Sequence, residues 1–164
     1  MRPEDAFDRY HQAVFSFVYR LTRRADLAED ITQECFLALL RAPGRFDEER
    51  GSMKTYLYGI ARNLVLKNYR DSRDCQVDAD VAADPRESLE VGLAVERAVA
   101  ALPHLQQEAL VLFEYQGVTL EEIAQVVGAE AGTVKGRLHR ARENLRRALA
   151  PLRLGKDIDG TTGK

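Results

Sequence analysis

The stretch from Thr119 to Leu149 constrains this chain more than any other. Thr119 and Glu122 stand at the spacing of a capping box, so a short helix is expected to start at Leu120. Ile123, Val126 and Val127 give that helix one apolar face, and Gly128 suits the left-handed residue that ends it. Ala129, Glu130, Ala131 and Gly132 read as a turn. A longer periodic segment follows, in which Val134, Leu138, Ala141, Leu145 and Ala148 fall within one narrow stripe. Its other faces carry Lys135, Arg137, Arg140, Arg142, Arg146 and Arg147 against one acid, Glu143. Short helix, tight turn and basic helix make a helix-turn-helix, whose second helix enters the major groove of duplex DNA. A run of arginines is often no more than a solvated face. Here Ala124 and Gly128 stand where crossing helices approach closely, and Val134 where the second helix packs back, which favours a DNA-binding unit.

The rest of the chain must be compatible with that unit. Its 164 residues suffice for one ordinary domain or two small ones, and 45% hydrophobic with 30% charged residues marks a soluble globular protein. No apolar run approaches the roughly 20 residues of a membrane helix, and MRPEDAFDRY has no signal-peptide core, so a cytoplasmic protein is expected. Cys35 and Cys75 lack metal-ligand spacing, which argues against a zinc site or a disulfide scaffold. The net charge of −2 conceals segregation. Residues 50–70 hold Arg50, Lys54, Arg62, Lys67 and Arg70 with no acid, whereas 26–34 hold Asp26, Glu29, Asp30 and Glu34 with no base. Residues 71–96 are strongly acidic. Local fields of this kind, rather than the sum, steer binding.

Taken in order, Phe7, Tyr10, Val14, Phe17, Val18 and Leu21 mark a first amphipathic helix ending near Arg23–Arg24. His11, three residues from Asp8, has none of the further ligands a di-iron bundle needs and is read as structural. Asp26 and Glu29 form a second capping pattern, opening a helix through Leu27, Ile31, Cys35, Leu39 and Leu40 that stops at Pro43–Gly44. Its acidic face serves either solvation or docking of a basic partner. Ser52 caps a third helix with a core stripe of Met53, Leu57, Ile60, Ala61 and Leu64. Along one edge of that stripe run Tyr56, Asn63, Lys67 and Arg70. An aromatic, an amide and two cations in a row suit unstacked single-stranded bases, although a tyrosine so placed serves core packing equally well. Asp71–Ala83 is aperiodic and reads as a linker, and Asp84–Pro85–Arg86–Glu87 restarts a helix through Leu89, Leu93 and Val99. Leu105, Ala109, Leu112 and Phe113 carry another to Gly117. The total is seven helices and no strand. Beyond Pro151 the tail reads as disordered, and its GTTGK lacks the context of a phosphate loop.

DLAEDITQECFLALL, YLYGIARNLVLKNYR and LEEIAQVVGAEAGTVKGRLHRAR, in this order around an acidic linker, resemble the extracytoplasmic-function (ECF) family of bacterial RNA polymerase sigma factors. The resemblance implies an all-α protein of two small helical domains joined by an acidic linker, the second ending in the helix-turn-helix. Residues 1–72 would be region 2, 73–91 the linker, 92–150 region 4, and 151–164 a tail. It implies docking on core RNA polymerase through Asp30, Gln33 and Glu34, with Phe36 as a packing aromatic. Phe46, Tyr56, Asn63, Lys67 and Arg70 would hold the non-template strand of the minus-ten element, Phe46 and Asn63 flanking a flipped base. Thr133, Lys135, Gly136, His139 and Arg140 would read the duplex minus-thirty-five element. Promoter DNA, core polymerase and an anti-sigma factor, often membrane-anchored, are the implied partners. No cofactor, metal, small-molecule substrate or catalysis is implied. Two positions depart from the family: Tyr56 stands where Trp is usual, and Gly136 where Ser is usual. A free-standing duplex-binding regulator accounts for Thr119–Leu149 equally well but leaves the acidic helix and the Tyr56–Arg70 row unused. A metalloenzyme would require stoichiometric metal.

Overall fold

A computed structural model describes residues 2–71 and 90–152. Among these residues the chain forms seven α-helices and no strand. The expected helix restart at Asp84–Pro85, the contribution of Leu89 and the tail beyond Leu152 lie outside the described residues.

Helix α1 (Pro3–Thr22) buries Val14, Phe17, Val18 and Leu21, the residues its periodicity selects. It ends at Arg23, a non-glycine residue in the left-handed region (φ 59°), whose N–H donates to the Tyr19 carbonyl. That turn brings α2 (Ala25–Arg41) back against α1 at once. The capping box expected at Asp26–Glu29 is therefore not formed. Arg24 is the residue before the helix, with no side-chain cap, and Asp26 lies inside the first turn, ion-paired to Arg24 at 3.2 Å. The burial of Ile31, Cys35 and Leu39 agrees with the pattern, whereas Phe7 and Leu40 are 40% and 52% exposed despite theirs.

A 3-10 turn (Pro43–Arg45) leads to α3 (Met53–Asp71), where the Thr55 N–H donates to Ser52 Oγ as expected of a cap. Tyr58 and Val65 are fully buried in α3, while Ile60 and Leu64 are only half-buried. The buried stripe is wider than the sequence suggests because α3 packs on both sides. One side meets α1, where Tyr58 lies edge-on to Phe17 with ring centroids 5.2 Å apart. The other meets the second half of the chain.

That half contains α4 (Glu90–Ala100), α5 (His104–Leu110) continuing into a π-helical turn (Val111–Tyr115), α6 (Leu120–Val127) and α7 (Ala131–Ala148). Leu105, expected in the core, is 44% exposed. The capping box at Thr119 and Glu122 forms in both directions. Gly128 ends α6 at φ 69°, but no atom lies within 4 Å of an added Cβ there. Left-handed backbone, not a close helix approach, is what requires glycine at that position. Helix α7 starts at Ala131, inside the stretch expected to be a turn.

The two halves share one continuous core. Between them lies Glu108 of α5, a fully buried carboxylate. Arg62 of α3 grips it with two hydrogen bonds, Nε to Oε1 at 2.8 Å and Nη2 to Oε2 at 3.1 Å, and His104 Nε2 lies 3.3 Å from Oε1. Tyr58 Oη donates to Gln116 Oε1 at 2.8 Å, and Gln116 Nε2 donates to Ser16 Oγ at 3.3 Å. Arg20 and Arg23 of α1 converge on Glu96 of α4 at 3.3 and 2.8 Å.

Burial alone would push the Glu108 carboxyl up, but His104 and Arg62 outweigh it and hold its pKa below the ordinary glutamate value of 4.5. A depressed folded-state pKa contributes stability that is complete above the unfolded value and lost as pH falls through the folded one. Thermal unfolding followed from pH 7 down through the carboxylate range should therefore lose more stability for the native chain than for Glu108→Gln. Parallel profiles would show that Glu108 is not a source of the acid sensitivity.

Candidate nucleic-acid interface

Helices α6 and α7 meet through Ile123, Val126 and Val127 on one side and Val134, Leu138 and Ala141 on the other, all buried. This packing leaves Thr133, Lys135, His139 and Arg140 exposed on α7. Gly136 lies beside Arg140, where an added Cβ would sit 3.5 Å from the Arg140 guanidinium, so any side chain there would share that space. The cations of α7 divide into two groups. In the C-terminal half, Arg142 pairs with Glu114 at 2.8 Å, Arg146 with Glu143 at 2.9 Å, and Arg147 hydrogen-bonds Asn144 at 2.6 Å. In the N-terminal half, Lys135, Arg137 and Arg140 make no hydrogen bond or ion pair among the described residues. A recognition helix presents its N-terminal residues to base edges, and uncommitted cations there are available for phosphate and guanine.

A second surface lies on α3. Phe46 and Tyr56 pack side by side, ring centroids 5.3 Å apart and tilted by 56°. Both line a cleft of about 640 Å³ with Gly59, Ile60 and Asn63, whose charged lining is mixed, Arg45 and Arg50 with Asp47 and Glu49. The structure thus brings Phe46, Tyr56 and Asn63 together although Phe46 comes from the preceding loop. Lys67 and Arg70 lie further along the same helix, exposed but outside the cleft. An aromatic pair beside an amide, with cations one and two turns further along the helix, matches the requirements for stacking and holding an unpaired base.

Asp30, Gln33 and Glu34 form an exposed face on α2. One turn beyond Glu34 stands Leu37, 41% exposed, with Leu40 nearby at 52%. Both were missed as surface residues in the sequence. The signal was present for Leu37, which follows Asp30 by seven positions and Glu34 by three and so shares their face. Phe36, by contrast, is buried and meets Phe7 edge-on at 5.1 Å. His11 stacks on Phe7 at 4.6 Å, with Nδ1 3.0 Å from the Phe7 carbonyl, a packing role. Cys35 is buried, its thiol pushed up to about 12 by desolvation, which makes it inert.

Comparison with known proteins follows this division. Residues 6–74 match the family model of Sigma-70 region 2, and residues 92–145 that of Sigma-70 region 4. The chain is 31% identical to the ECF RNA polymerase sigma factor SigW of Bacillus subtilis, over 90% of this chain and 89% of that protein. It is 30% identical to the ECF RNA polymerase sigma factor SigM of Mycobacterium tuberculosis, over 94% and 81%. Among solved structures it is similar to the sigma factor RpoE from Bartonella quintana, crystallised with the anti-sigma factor NepR. The TM-score is 0.74 at 26% identity, covering 90% of this chain and 96% of that one. The molecule is thus a promoter-recognising RNA polymerase sigma factor. Within that class, the chain belongs to the ECF family.

The split among the α7 cations is testable. Arg140→Ala should weaken promoter binding by the holoenzyme by about 1–3 kcal/mol if Arg140 contacts a base, whereas Arg146→Ala should change it little. Equal effects of the two substitutions in promoter titrations would show that the groove register is wrong.

Proposed function

We propose that three surfaces act in sequence. Asp30, Gln33 and Glu34, with Leu37 extending their face, dock on a basic and partly apolar surface of core RNA polymerase. Thr133, Lys135, Gly136, His139 and Arg140 then seat α7 in the major groove of the minus-thirty-five element. Phe46, Tyr56 and Asn63 capture a base of the minus-ten element as it leaves the stack, and Lys67 and Arg70 hold the phosphates of the same strand. Capture of the unstacked base drives opening, so no ATP-consuming step is required of this chain, and phosphodiester formation belongs to the polymerase. Tyr56, in place of the usual Trp, still offers a ring for stacking but with a smaller face. Residues 1–72 and 92–150 serve as the two working domains.

The observation that carries this reading is the cleft at α3, where an aromatic pair meets the exposed Asn63 amide, with exposed Lys67 and Arg70 further along the same helix. A duplex-binding regulator has no use for it. By likeness to the Bartonella sigma factor crystallised with NepR, an anti-sigma factor is a further partner. No described helix is long and apolar enough to cross a membrane.

Asn63→Ala should lower the yield of open complexes, measured by permanganate reactivity of unpaired thymines, more than it lowers initial binding. Equal yields would remove base capture from the role of Asn63. Reversing charge with Asp30→Lys and Glu34→Lys should weaken association with core polymerase by at least tenfold, about 1.4 kcal/mol, in a competition assay. Unchanged affinity would reduce that face to a solvated surface.

A further inference from the structure

Gly136 stands inside α7, where glycine weakens a helix relative to any residue but proline. The usual reasons for a glycine there do not apply. Its backbone is not left-handed, since among the described glycines only Gly117 and Gly128 have positive φ. Nor does another helix press against it. The three atoms nearest an added Cβ all belong to the Arg140 guanidinium, Nη1 at 3.5 Å, Nη2 at 3.7 Å and Cζ at 3.9 Å.

Arg140 follows Gly136 by four residues, and side chains on a helix lean back toward its N-terminus over the preceding turn. The guanidinium thus lies level with Gly136, one turn nearer the N-terminal end of α7 than its own Cα. Thr133 and His139, three residues to either side of position 136, flank it on the same exposed face. No acid holds it there. The Arg140 side chain makes no hydrogen bond or ion pair among the described residues, and Glu143 is taken by Arg146 at 2.9 Å. Its resting place is bare helix. A methyl group at position 136 would just touch the guanidinium, and any longer side chain would compete for the space it occupies.

We infer that Gly136 is a positioning residue, the seat of the Arg140 guanidinium, and that the two together make α7 demand a guanine at one base pair of the minus-thirty-five element. The inference rests on the reading that α7 enters the major groove of that element. Guanine presents O6 and N7 there, and a guanidinium must meet both at once, which fixes its reach and orientation. Arginine has many rotamers, so a head already laid along the helix loses less freedom on binding. A long side chain at position 136 would lift the head away. Its charge would still attract DNA, but the two-point contact that selects guanine would be lost. Glycine in place of the usual serine then alters where Arg140 reaches, beyond the loss of one hydroxyl.

The test uses the full chain assembled with core polymerase, titrated against promoters in which each minus-thirty-five base pair is replaced in turn. The native chain should prefer guanine at one position by about tenfold or more, and Arg140→Ala should lose that preference. Gly136→Leu keeps Arg140 and adds a better helix former, with circular dichroism to confirm its helix content. It should lose the preference at the same position, and the double variant should lose no more than either single one. A Gly136→Leu protein that still selects guanine there would overturn the inference and leave the groove reading standing. So would a Gly136→Leu penalty equal on every sequence and equal with and without Arg140→Ala, since glycine would then only make room for DNA. An Arg140→Ala protein with every base preference intact would instead overturn the placement of Arg140 in the groove, and the inference with it.

Discussion

A carboxylate withdrawn from water must be answered by an opposite charge and hydrogen bonds, or it will not stay ionised and buried. Glu108 sits fully inside this protein, and it is Arg62, from the other half of the chain, that answers it. That requirement ties α5 to α3. With the tie in place, Tyr58 can bury its ring against Phe17 and still reach Gln116 with its hydroxyl, Tyr69 can lie edge-on to His104 while donating to the Leu21 carbonyl, and α6 comes to rest along α3. Remove Arg62 and the fully buried Glu108 carboxylate loses the guanidinium that answers it from the other half.

The same arrangement sorts the basic side chains by task. Arg20, Arg23 and Arg62 are spent on acids of the opposite half, and Arg142 and Arg146 on acids of their own. Lys67 and Arg70 on α3 and Lys135 and Arg140 on α7 are exposed and make no side-chain hydrogen bond or ion pair among the described residues; the same holds of Arg9, Arg41, Arg45, Arg50 and Arg97 elsewhere. A net charge of −2 therefore coexists with exposed, unpaired cations on α3 and on the N-terminal half of α7, since the acids are concentrated elsewhere in the chain.

Local chemistry was legible wherever the deciding atoms were neighbours in sequence. The Thr119–Glu122 box, the Ser52 cap and the left-handed Gly128 came out as the residue pattern implies, and so did the stripe on α7 as far as Ala141, beyond which Leu145 is half-buried and Ala148 exposed. The same kind of pattern failed at Asp26–Glu29, because acid-x-x-acid spacing occurs inside helices as readily as at their ends. There the left-handed turn at Arg23 had already placed Asp26 within the helix. Apolar periodicity likewise named Leu40, Leu105 and Phe7 as core, yet each is at least 40% exposed. Periodicity reports which face is apolar; it does not report whether another element arrives to cover it.

The amino-acid sequence alone determined that this is an all-helical sigma factor of the ECF family, that its last described helix is basic with one apolar stripe, and that charge is segregated along the chain. Those properties depend on contacts within a turn or two, or on motifs that persist whatever the halves do. Only the tertiary structure decided that Arg62 belongs to Glu108, that Phe46 joins Tyr56 and Asn63 in one cleft, and that α6 closes part of it. Arg62 and Glu108 lie 46 positions apart. At such a separation no spacing rule applies, and the pairing is chosen by which burial leaves no charge unanswered.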